Sequence, residues 1–399
     1  MTRTTDHLIG GFLLLSSLLA TSVNEQRLIR STQSLEEGLR VVVSLATPAV
    51  QPENEGKLVH FSGLITTDPR LLHADTTLTR TPFALDPVFG IAARGVRLYR
   101  TVEMLQWVET AHTSTTGATD DDGDGGVDEH RERTYLYDLR WRSDRVDSSR
   151  FNDLSYQNPS DDAWKYESQV VQAKGVVVGE FKLNDDLIKQ IERRDPVHLD
   201  KDNQKVMRNV LGRRLGEDWA SKSALKHVSL EGDYFYLYQD GGRPVLGDLR
   251  ISFSVTPAYP VTISGQQRGD TVVPFKTRAG EELLLLRDGS QSVSELFNFK
   301  LSVKYRENRF YRLFTFVLGF IGCLVLHPTL VRQVGPWVGH THKLLTASTL
   351  SLALTLSVAG ANWLLFRPLW AIAMALGGAI PSILLVLRHQ TRADTRKTQ

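Results

Sequence analysis

The sequence has a single cysteine, Cys323, and it lies within a hydrophobic stretch. A soluble part of the chain can therefore contain no disulfide and must be held by a packed core of its own. A usable N-glycosylation site is also missing, because Asn158-Pro159-Ser160 has proline at the excluded middle position. Glycosylation therefore gives no local support for a lumenal segment.

The chain has no large excess of charge of one sign. Its net charge is +2, whereas a surface that binds nucleic acid usually makes a domain strongly basic. The apolar residues concentrate towards the two ends, and nearly all the acidic residues lie between them. The net charge therefore gives no case for a nucleic-acid partner, whereas the segregation predicts a soluble domain tethered by membrane segments that contact lipid.

Motifs for catalysis are absent as well. The histidines are scattered, no nucleophile elbow is present, and no glycine-rich phosphate loop follows a strand. The sequence therefore predicts no catalytic, metal-binding or cofactor-binding residue, and no cofactor.

The first hydrophobic segment follows a short tail, residues 1–7, and covers residues 8–23. It carries no charge and spans about 24 Å as a helix, slightly less than the ~30 Å of a hydrocarbon layer. A cleaved signal peptide is the alternative, since Arg3 precedes an apolar run that ends in small residues. We interpret the segment as uncleaved transmembrane helix 1.

Three more hydrophobic segments lie near the C-terminus, before a basic tail at residues 388–399. They predict transmembrane helices 2, 3 and 4 at residues 310–331, 344–366 and 369–387. Cations that can extend into the headgroup layer crowd before helix 2: Lys300, Lys304, Arg306, Arg309 and Arg312.

Only Arg367-Pro368 separates helices 3 and 4, which predicts a tight antiparallel hairpin with its turn at the membrane surface. Trp363 and Trp370 flank this turn as interfacial anchors would. Arg367 is therefore interpreted as an interfacial arginine, the alternative being a buried functional charge.

Small and polar residues recur at helical spacing on both of these helices, namely Ser348, Ser351, Thr355, Val358 and Asn362 on helix 3 and Ala371, Ala375, Gly378 and Ser382 on helix 4. Small side chains allow close helix packing, which is the favoured interpretation. A polar pathway for a solute is the alternative, but neither helix contains an acidic residue of the kind that proton and cation relays need.

Four spans place both termini on one side of the membrane and the intervening domain on the other. Basic residues flank both sides, so charge counting does not assign them, but the positive-inside rule gives more weight to short loops and slightly favours a cytoplasmic C-terminal tail.

Residues 24–309 are predicted to form a strand-rich α+β domain. A short amphipathic helix around Ser34-Leu35-Glu36-Glu37 leads from the membrane, and two helices are expected at 184–193, capped by Asn184, and 206–225. Runs rich in β-branched and aromatic residues predict strands at 57–65, 102–110, 134–141, 176–183, 233–238, 248–255, 261–264, 271–275 and 282–286.

The acidic loop at residues 113–132 holds a partial calcium-loop motif: Asp120, Asp122, Asp124, Gly125, Val127 and Asp128. Position twelve is Arg131 where such a loop requires a bidentate glutamate, and the flanking helices are missing. A solvated acidic loop is therefore the better interpretation. Likewise, Arg268-Gly269-Asp270 is interpreted as a turn between strands, not as an adhesion motif.

A set of short motifs spread over nearly the whole chain resembles the transmembrane protein 43, or LUMA, family. The motifs are Asn24-Glu25, Ser34-Leu35-Glu36-Glu37-Gly38-Leu39, Pro52-Glu53-Asn54-Glu55-Gly56, Leu58-Val59-His60, Val102-Glu103-Met104, Gln106-Trp107-Val108-Glu109-Thr110, Trp141-Arg142-Ser143, Gly247-Asp248-Leu249-Arg250, Gln267-Arg268-Gly269-Asp270, Val273-Pro274-Phe275 and Arg367-Pro368-Leu369-Trp370. The chain departs from the family pattern at 69–93 and 113–132, and its segment before helix 1 is short.

The resemblance implies a four-span protein of the endoplasmic reticulum and inner nuclear membrane, with a lumenal domain and with termini in the cytoplasm or nucleoplasm. It implies a non-enzymatic scaffold that self-associates, engages lamins and emerin-like proteins, and helps to maintain the nuclear envelope. For a bacterial member, the equivalent is a plasma-membrane protein with an external domain.

Three functions from different classes follow as hypotheses. The first is the scaffold, joined to further copies through the small-residue faces of helices 3 and 4. The second is a transport or channel component, motivated by Arg367, Asn362 and the polar residues of helix 3. The third is a membrane-anchored enzyme, which rests only on the size of the domain.

Overall fold

A computed structural model describes residues 2–67, 83–117, 129–173, 175–214, 228–238, 243–328 and 343–397. Long helices lie at the two ends of the chain, with a strand-rich region between them. The helices are α1 Thr2–Val41, α2 Asp185–Lys189, α3 Lys201–Arg214, α4 Val293–Val325, α5 Lys343–Trp363 and α6 Pro368–Lys397.

Among the described residues, the domain contains eighteen short and long strands. They are β1 Val43–Ser44, β2 Leu58–Thr67, β3 Phe83–Leu85, β4 Ala92–Arg94, β5 Arg97–Gly117, β6 Glu129–Arg142, β7 Gln169–Gln172, β8 Val176–Val178, β9 Phe181–Lys182, β10 Asp195–Pro196, β11 Val228–Glu231, β12 Tyr234–Leu237, β13 Leu249–Thr256, β14 Pro260–Arg268, β15 Thr271–Val273, β16 Phe275–Lys276, β17 Glu282–Leu283 and β18 Leu285–Asp288. The predicted fold class, a membrane-spanning α+β protein, is confirmed.

The first helix does not end where the apolar segment ends. The prediction of a separate amphipathic helix around residues 34–37 is wrong, because α1 continues unbroken from Thr2 to Val41. Residues 24–41 contain no proline, and Leu28 and Leu35 bury one face of the extension. The helix therefore continues about 27 Å beyond the predicted membrane segment.

Helix α4 is likewise longer than predicted at its N-terminal end. It starts at Val293, not at residue 310, because Ser292 and Glu295 form a capping box that satisfies the first backbone amides. The helical pattern then runs through the cationic stretch into the apolar segment and stops at Val325, short of the predicted residue 331. Pro328 follows soon after this end.

Three helices, containing His7–Val41, Val293–Val325 and Lys343–Trp363, are long and apolar enough to cross a membrane. The fourth, with the apolar segment Pro368–Leu384, is shorter and spans about 26 Å. Contacts fix their arrangement: α4 runs antiparallel to α1 and α5, and α6 runs antiparallel to α5. The domain-side ends of all four helices therefore lie close together.

One sheet closes on itself next to the membrane helices. Its strand order is β1-β2-β8-β9-β15-β14-β18, and an additional pairing of β2 with β14 joins β2, β8, β9, β15 and β14 into a ring. Phe61 and Phe181 stack inside it with ring centroids 4.4 Å apart, among the aliphatic residues of one buried cluster. Closure leaves these five strands few unpaired edges.

The second sheet has the order β11-β12-β13-β5-β6, with β10 and β7 added along β13 and β5. Its core gathers around Phe89, Phe235 and Phe253. The predicted hairpin of residues 102–110 and 134–141 is present and longer than expected. Residues 113–117 pair with 129–133, so the predicted loop boundaries of 113–132 are wrong, and both of its ends are strand.

Most predicted elements occur, with shifted ends. Asn184 caps α2, its side chain accepting from Leu187 N at 2.9 Å, and α3 begins five residues before the predicted 206. Gly269 forms the turn between β14 and β15 with a φ of 59°, which confirms the turn interpretation of Arg268-Gly269-Asp270. The calcium-like residues Asp120, Asp122, Asp124, Gly125, Val127 and Asp128 lie outside the described residues.

Candidate functional site

Small residues bring three of the membrane helices into close contact. Gly319 of α4 faces the hydroxyls of Ser17 on α1 and Ser351 on α5, and a Cβ there would lie 2.7 and 2.8 Å from them. Ser17 donates to Thr315 O at 2.7 Å, and Ser351 donates to Phe316 O at 2.9 Å. These bonds satisfy both hydroxyls inside the bundle, where no water competes.

The α5–α6 hairpin uses the same kind of packing. A Cβ on Gly378 would lie 3.0 Å from Ala353 Cα, and one on Gly360 would lie 2.9 Å from Ala371 O. The packing interpretation of the small-residue faces is therefore confirmed for the buried members Ser351, Thr355, Ala371 and Gly378, whereas Ala375 is exposed. Because one chain already covers these faces, they do not offer the interface between copies that the scaffold hypothesis expected.

A charged cluster lies where the bundle meets the domain. The Glu25 side chain on α1 is fully buried, and its two carboxylate oxygens accept from Arg312 Nε at 2.6 Å and Arg312 Nη2 at 2.7 Å. Trp363 Nε1 donates to the same carboxylate at 2.7 Å. A buried carboxylate needs such partners. The cluster joins α1, α4 and the end of α5.

Polar side chains extend this connection on both sides. Asn24 donates to Asn308 of α4, and Asn362 of α5 donates to Ser22 Oγ at 3.2 Å and to Val358 O at 2.8 Å. Asn362, which motivated the channel hypothesis, is therefore occupied by protein partners. Its hydrogen bonds connect helices and do not leave an amide free for a solute.

Arg367, interpreted from the sequence as an interfacial arginine, is neither fully buried nor unpaired, and its position at the membrane surface stays a prediction. It forms an ion pair with Glu36 on the extension of α1, and both side chains are about one third exposed. The prediction that Trp363 is an interfacial anchor is wrong, because it is 2% exposed and bonded to Glu25. Trp370 is 57% exposed, as an anchor would be.

The extended helices enter the domain core directly. Leu35 of α1 and Leu296 and Phe297 of α4 pack with Leu58 and Leu283 from the strands. Polar contacts accompany this packing: Ser34 and Thr277 share a hydrogen bond of 2.8 Å, and Ser31 donates to Glu281. Membrane helices and domain thus share one packed core.

A histidine lies at the same junction. His60 of β2 is 5% exposed, its Nε2 is 3.1 Å from Gln291 O, and its Nδ1 is 3.3 Å from Ser44 Oγ. The carbonyl is only an acceptor, so Nε2 carries the proton and Nδ1 accepts from the serine hydroxyl. Burial lowers the pKa of His60 from 6.5 by disfavouring the charged imidazolium, although the hydrogen bond to Gln291 opposes this shift.

The Glu25 cluster is not predicted from the sequence, because predicted transmembrane helix 1 ends at Val23. Glu25 enters the sequence analysis only as part of a family motif. One signal was present. Glu25 is the first acidic residue after transmembrane helix 1, and Arg312 is the last cation before the apolar run of transmembrane helix 2. In two adjacent antiparallel helices, these positions lie at the same depth.

Within the described ranges, no group of three or more His, Cys, Asp or Glu side chains could hold a metal ion. The buried ionic clusters there, around Glu25 and Asp86, have their carboxylates bonded to arginine and other protein donors. This arrangement stabilises packing.

Comparison with known proteins gives one consistent family. The family model described as Transmembrane protein 43 matches residues 104–368. The human protein named Transmembrane protein 43 is 32% identical over 411 residues, covering 98% of this chain and 91% of the relative. A Drosophila melanogaster protein named Transmembrane protein 43 homolog is 28% identical over 380 residues, covering 90% and 88%. No solved structure matches.

Proposed function

Since the chain belongs to the transmembrane protein 43 family, we propose that it is a non-enzymatic membrane scaffold that organises protein complexes. It resides in the endoplasmic reticulum and inner nuclear membrane, with the strand-rich domain in the lumen and the termini in the cytoplasm or nucleoplasm. It self-associates, binds lamins and emerin-like membrane proteins, and helps to maintain the nuclear envelope.

The observation that carries this proposal is the shared core of bundle and domain. Helices α1 and α4, of 40 and 33 residues, pass from the membrane segments into the domain without a break. The ion pairs Glu25–Arg312 and Glu36–Arg367 stabilise this connection between membrane segments and domain at two positions along α1. A domain held at a fixed height and orientation suits a scaffold, which must present its binding surface in one geometry.

Self-association is tested with two copies of the full-length chain carrying different tags. The copies are co-expressed and crosslinked in intact membranes before solubilisation, and one tag is used for purification. A scaffold predicts that the second tag is recovered in a crosslinked band of twice the mass or more. As a control, membranes expressing each copy separately are mixed after solubilisation, and this mixture should give no such band.

Monomers alone, at the expression level of the native protein, would overturn the self-association proposal. The partner proposal is tested separately by recovering lamins and emerin-like proteins from the crosslinked sample. Their absence, with self-association present, would restrict the scaffold to copies of this chain.

The channel alternative receives no support from the polar residues that motivated it. Asn362 bonds to Ser22 and Val358, and Arg367 pairs with Glu36. Ion or solute flux through the reconstituted, purified protein would nevertheless replace the scaffold proposal with this one.

A further inference from the structure

A cavity of about 270 Å³ lies beside the Glu25 cluster, at the domain-side end of the bundle. One wall is the face of α4 that carries Tyr305, Arg309 and Arg312, which are spaced three or four residues apart. The opposite wall is apolar and consists of Trp363 at the end of α5 and Trp370 and Met374 in the first turns of α6.

The charge of this cavity has one sign. Its lining includes two arginines and no acidic side chain, because the nearby Glu25 is buried behind Arg312. Arg312 uses Nε and Nη2 for Glu25, and among the described residues its Nη1 donates no hydrogen bond. Over the same described residues, the exposed Arg309 and the Tyr305 hydroxyl also donate no hydrogen bond. Three donors are therefore available to an anion.

The polar and apolar walls meet where Arg312 contacts Met374, at the start of the apolar run of α4. Arg309 is nearer the domain, whereas Met374, whose sulfur is 3.9 Å from Arg312 Nη2, is deeper in the bundle. The apolar run of α4 starts at Leu313, immediately after Arg312. The cations thus lie at the border between the polar and apolar parts of α4, where lipid phosphates are expected, and Trp370 and Met374 offer apolar contact to the first acyl carbons.

We propose that this cavity binds the headgroup of an anionic phospholipid from the surrounding bilayer. The phosphate lies between Arg309 and Arg312 Nη1 and accepts from the Tyr305 hydroxyl. A volume of about 270 Å³ is small for a whole ligand, so the cavity holds the phosphate and glycerol. The acyl chains then pass Trp370 and follow the exposed apolar face of α6, which includes Leu369 and Ile372.

The combination of a cationic wall and an apolar wall explains why a lipid suits the site better than a free phosphate. Inorganic phosphate would use only the cationic wall and would leave the apolar wall of Trp370 and Met374 uncovered. A zwitterionic lipid would bring a second cation close to Arg309. An anionic lipid satisfies both walls and adds no positive charge.

The test uses the purified full-length protein in neutral detergent, with dioctanoyl phosphatidylglycerol, dioctanoyl phosphatidylcholine and inorganic phosphate as probes. Binding is measured by native mass spectrometry and by the shift in melting temperature. Arg309→Gln removes an exposed cavity cation that makes no hydrogen bond or ion pair among the described residues, so we expect folding to be preserved. Arg306→Gln is the matched control, since Arg306 is exposed on the same helix but outside the cavity lining.

We expect the phosphatidylglycerol affinity to fall about tenfold in Arg309→Gln and to stay within about twofold of wild type in Arg306→Gln. We also expect weaker binding of phosphatidylcholine and no competition by millimolar phosphate. Equal losses in the two variants would overturn the proposal, as would equal affinity for the two lipids or full competition by inorganic phosphate. The result is independent of whether the protein self-associates.

Discussion

Glu25 and Arg312 form a bidentate ion pair between the first helix of the chain and the helix that returns to the membrane after the domain. The residues are separated by 287 positions in sequence, yet this contact fixes the relative depth of α1 and α4. Trp363 donates a hydrogen bond to the same carboxylate and thereby connects the α5–α6 hairpin to this ion pair. The pair is therefore central to the assembly of the bundle.

Replacing Glu25 with glutamine tests this role. The amide keeps the size of the side chain but leaves Arg312 without a charged partner, so we expect a loss of about 3 kcal/mol in the free energy of unfolding. The measurement is unfolding of the full-length protein in mixed neutral and anionic detergent micelles. Glu192→Gln, at an exposed position, is the control and should behave as wild type. A wild-type stability for Glu25→Gln would contradict the role of the pair.

Gly322 tests the close approach of α1 and α4. A Cβ at this position would lie 2.9 Å from Leu14 N and 3.0 Å from Gly10 O, and backbone atoms cannot move aside easily. Gly322→Ala should therefore destabilise the protein by about 1–3 kcal/mol in the same micellar unfolding measurement. Gly11→Ala is the matched control, because nothing lies within 4 Å of its Cβ position. Equal effects of the two substitutions would show that the helices do not pack in this way.

A second buried ion pair lies beside strand β5 of the second sheet. Asp86 accepts from Arg100 Nη1 at 2.6 Å and from the amides of Val88 and Phe89, and both side chains are almost fully buried. Asp86→Asn should lower the free energy of unfolding by about 3–5 kcal/mol, because it leaves a buried arginine without its counterion. Asp138→Asn, which breaks an exposed pair with Arg140, should leave the melting temperature unchanged. If Asp86→Asn also melts at the wild-type temperature, the pair is not buried as described.

His60 predicts a specific pH dependence. Its pKa is lowered in the folded protein, so below about pH 6.5 the unfolded chain binds more protons than the folded one. The stability contribution of the neutral, buried imidazole is present above that pH and is lost as the pH falls. We expect the melting temperature to drop less between pH 7.5 and 5.5 in His60→Gln than in wild type. An unchanged drop would mean that another group causes it.

The sequence predicted the four apolar segments and most strands because these depend on local hydrophobicity and side-chain shape. The unbroken continuation of α1 to Val41 and the start of α4 at Val293 were not predicted, because residues 24–41 and 293–309 are polar on one side and resemble domain surface. Their helical state depends on packing of residues such as Leu35 and Phe297 against strands far away in sequence. Local patterns do not contain that information.

Local sequence patterns also did not predict the partners of the polar residues in the bundle. The small-residue spacing predicted that Ser351 and Gly378 pack closely, which is correct, but not which helices they contact. Trp363 was assigned to the membrane surface from its position near a turn. The indole of Trp363 is buried because it donates a hydrogen bond to Glu25, a residue near the other end of the chain.

The central claim is that four spans place both termini on the side of the membrane opposite to the strand-rich domain. Protease protection tests it most directly, with the full-length chain tagged at both ends and expressed in vesicles sealed with their cytoplasmic face outward. We predict that added protease removes both tags, while the domain between α1 and α4 survives until detergent opens the vesicles. Cleavage of the domain in intact vesicles, or removal of only one tag, would contradict this topology.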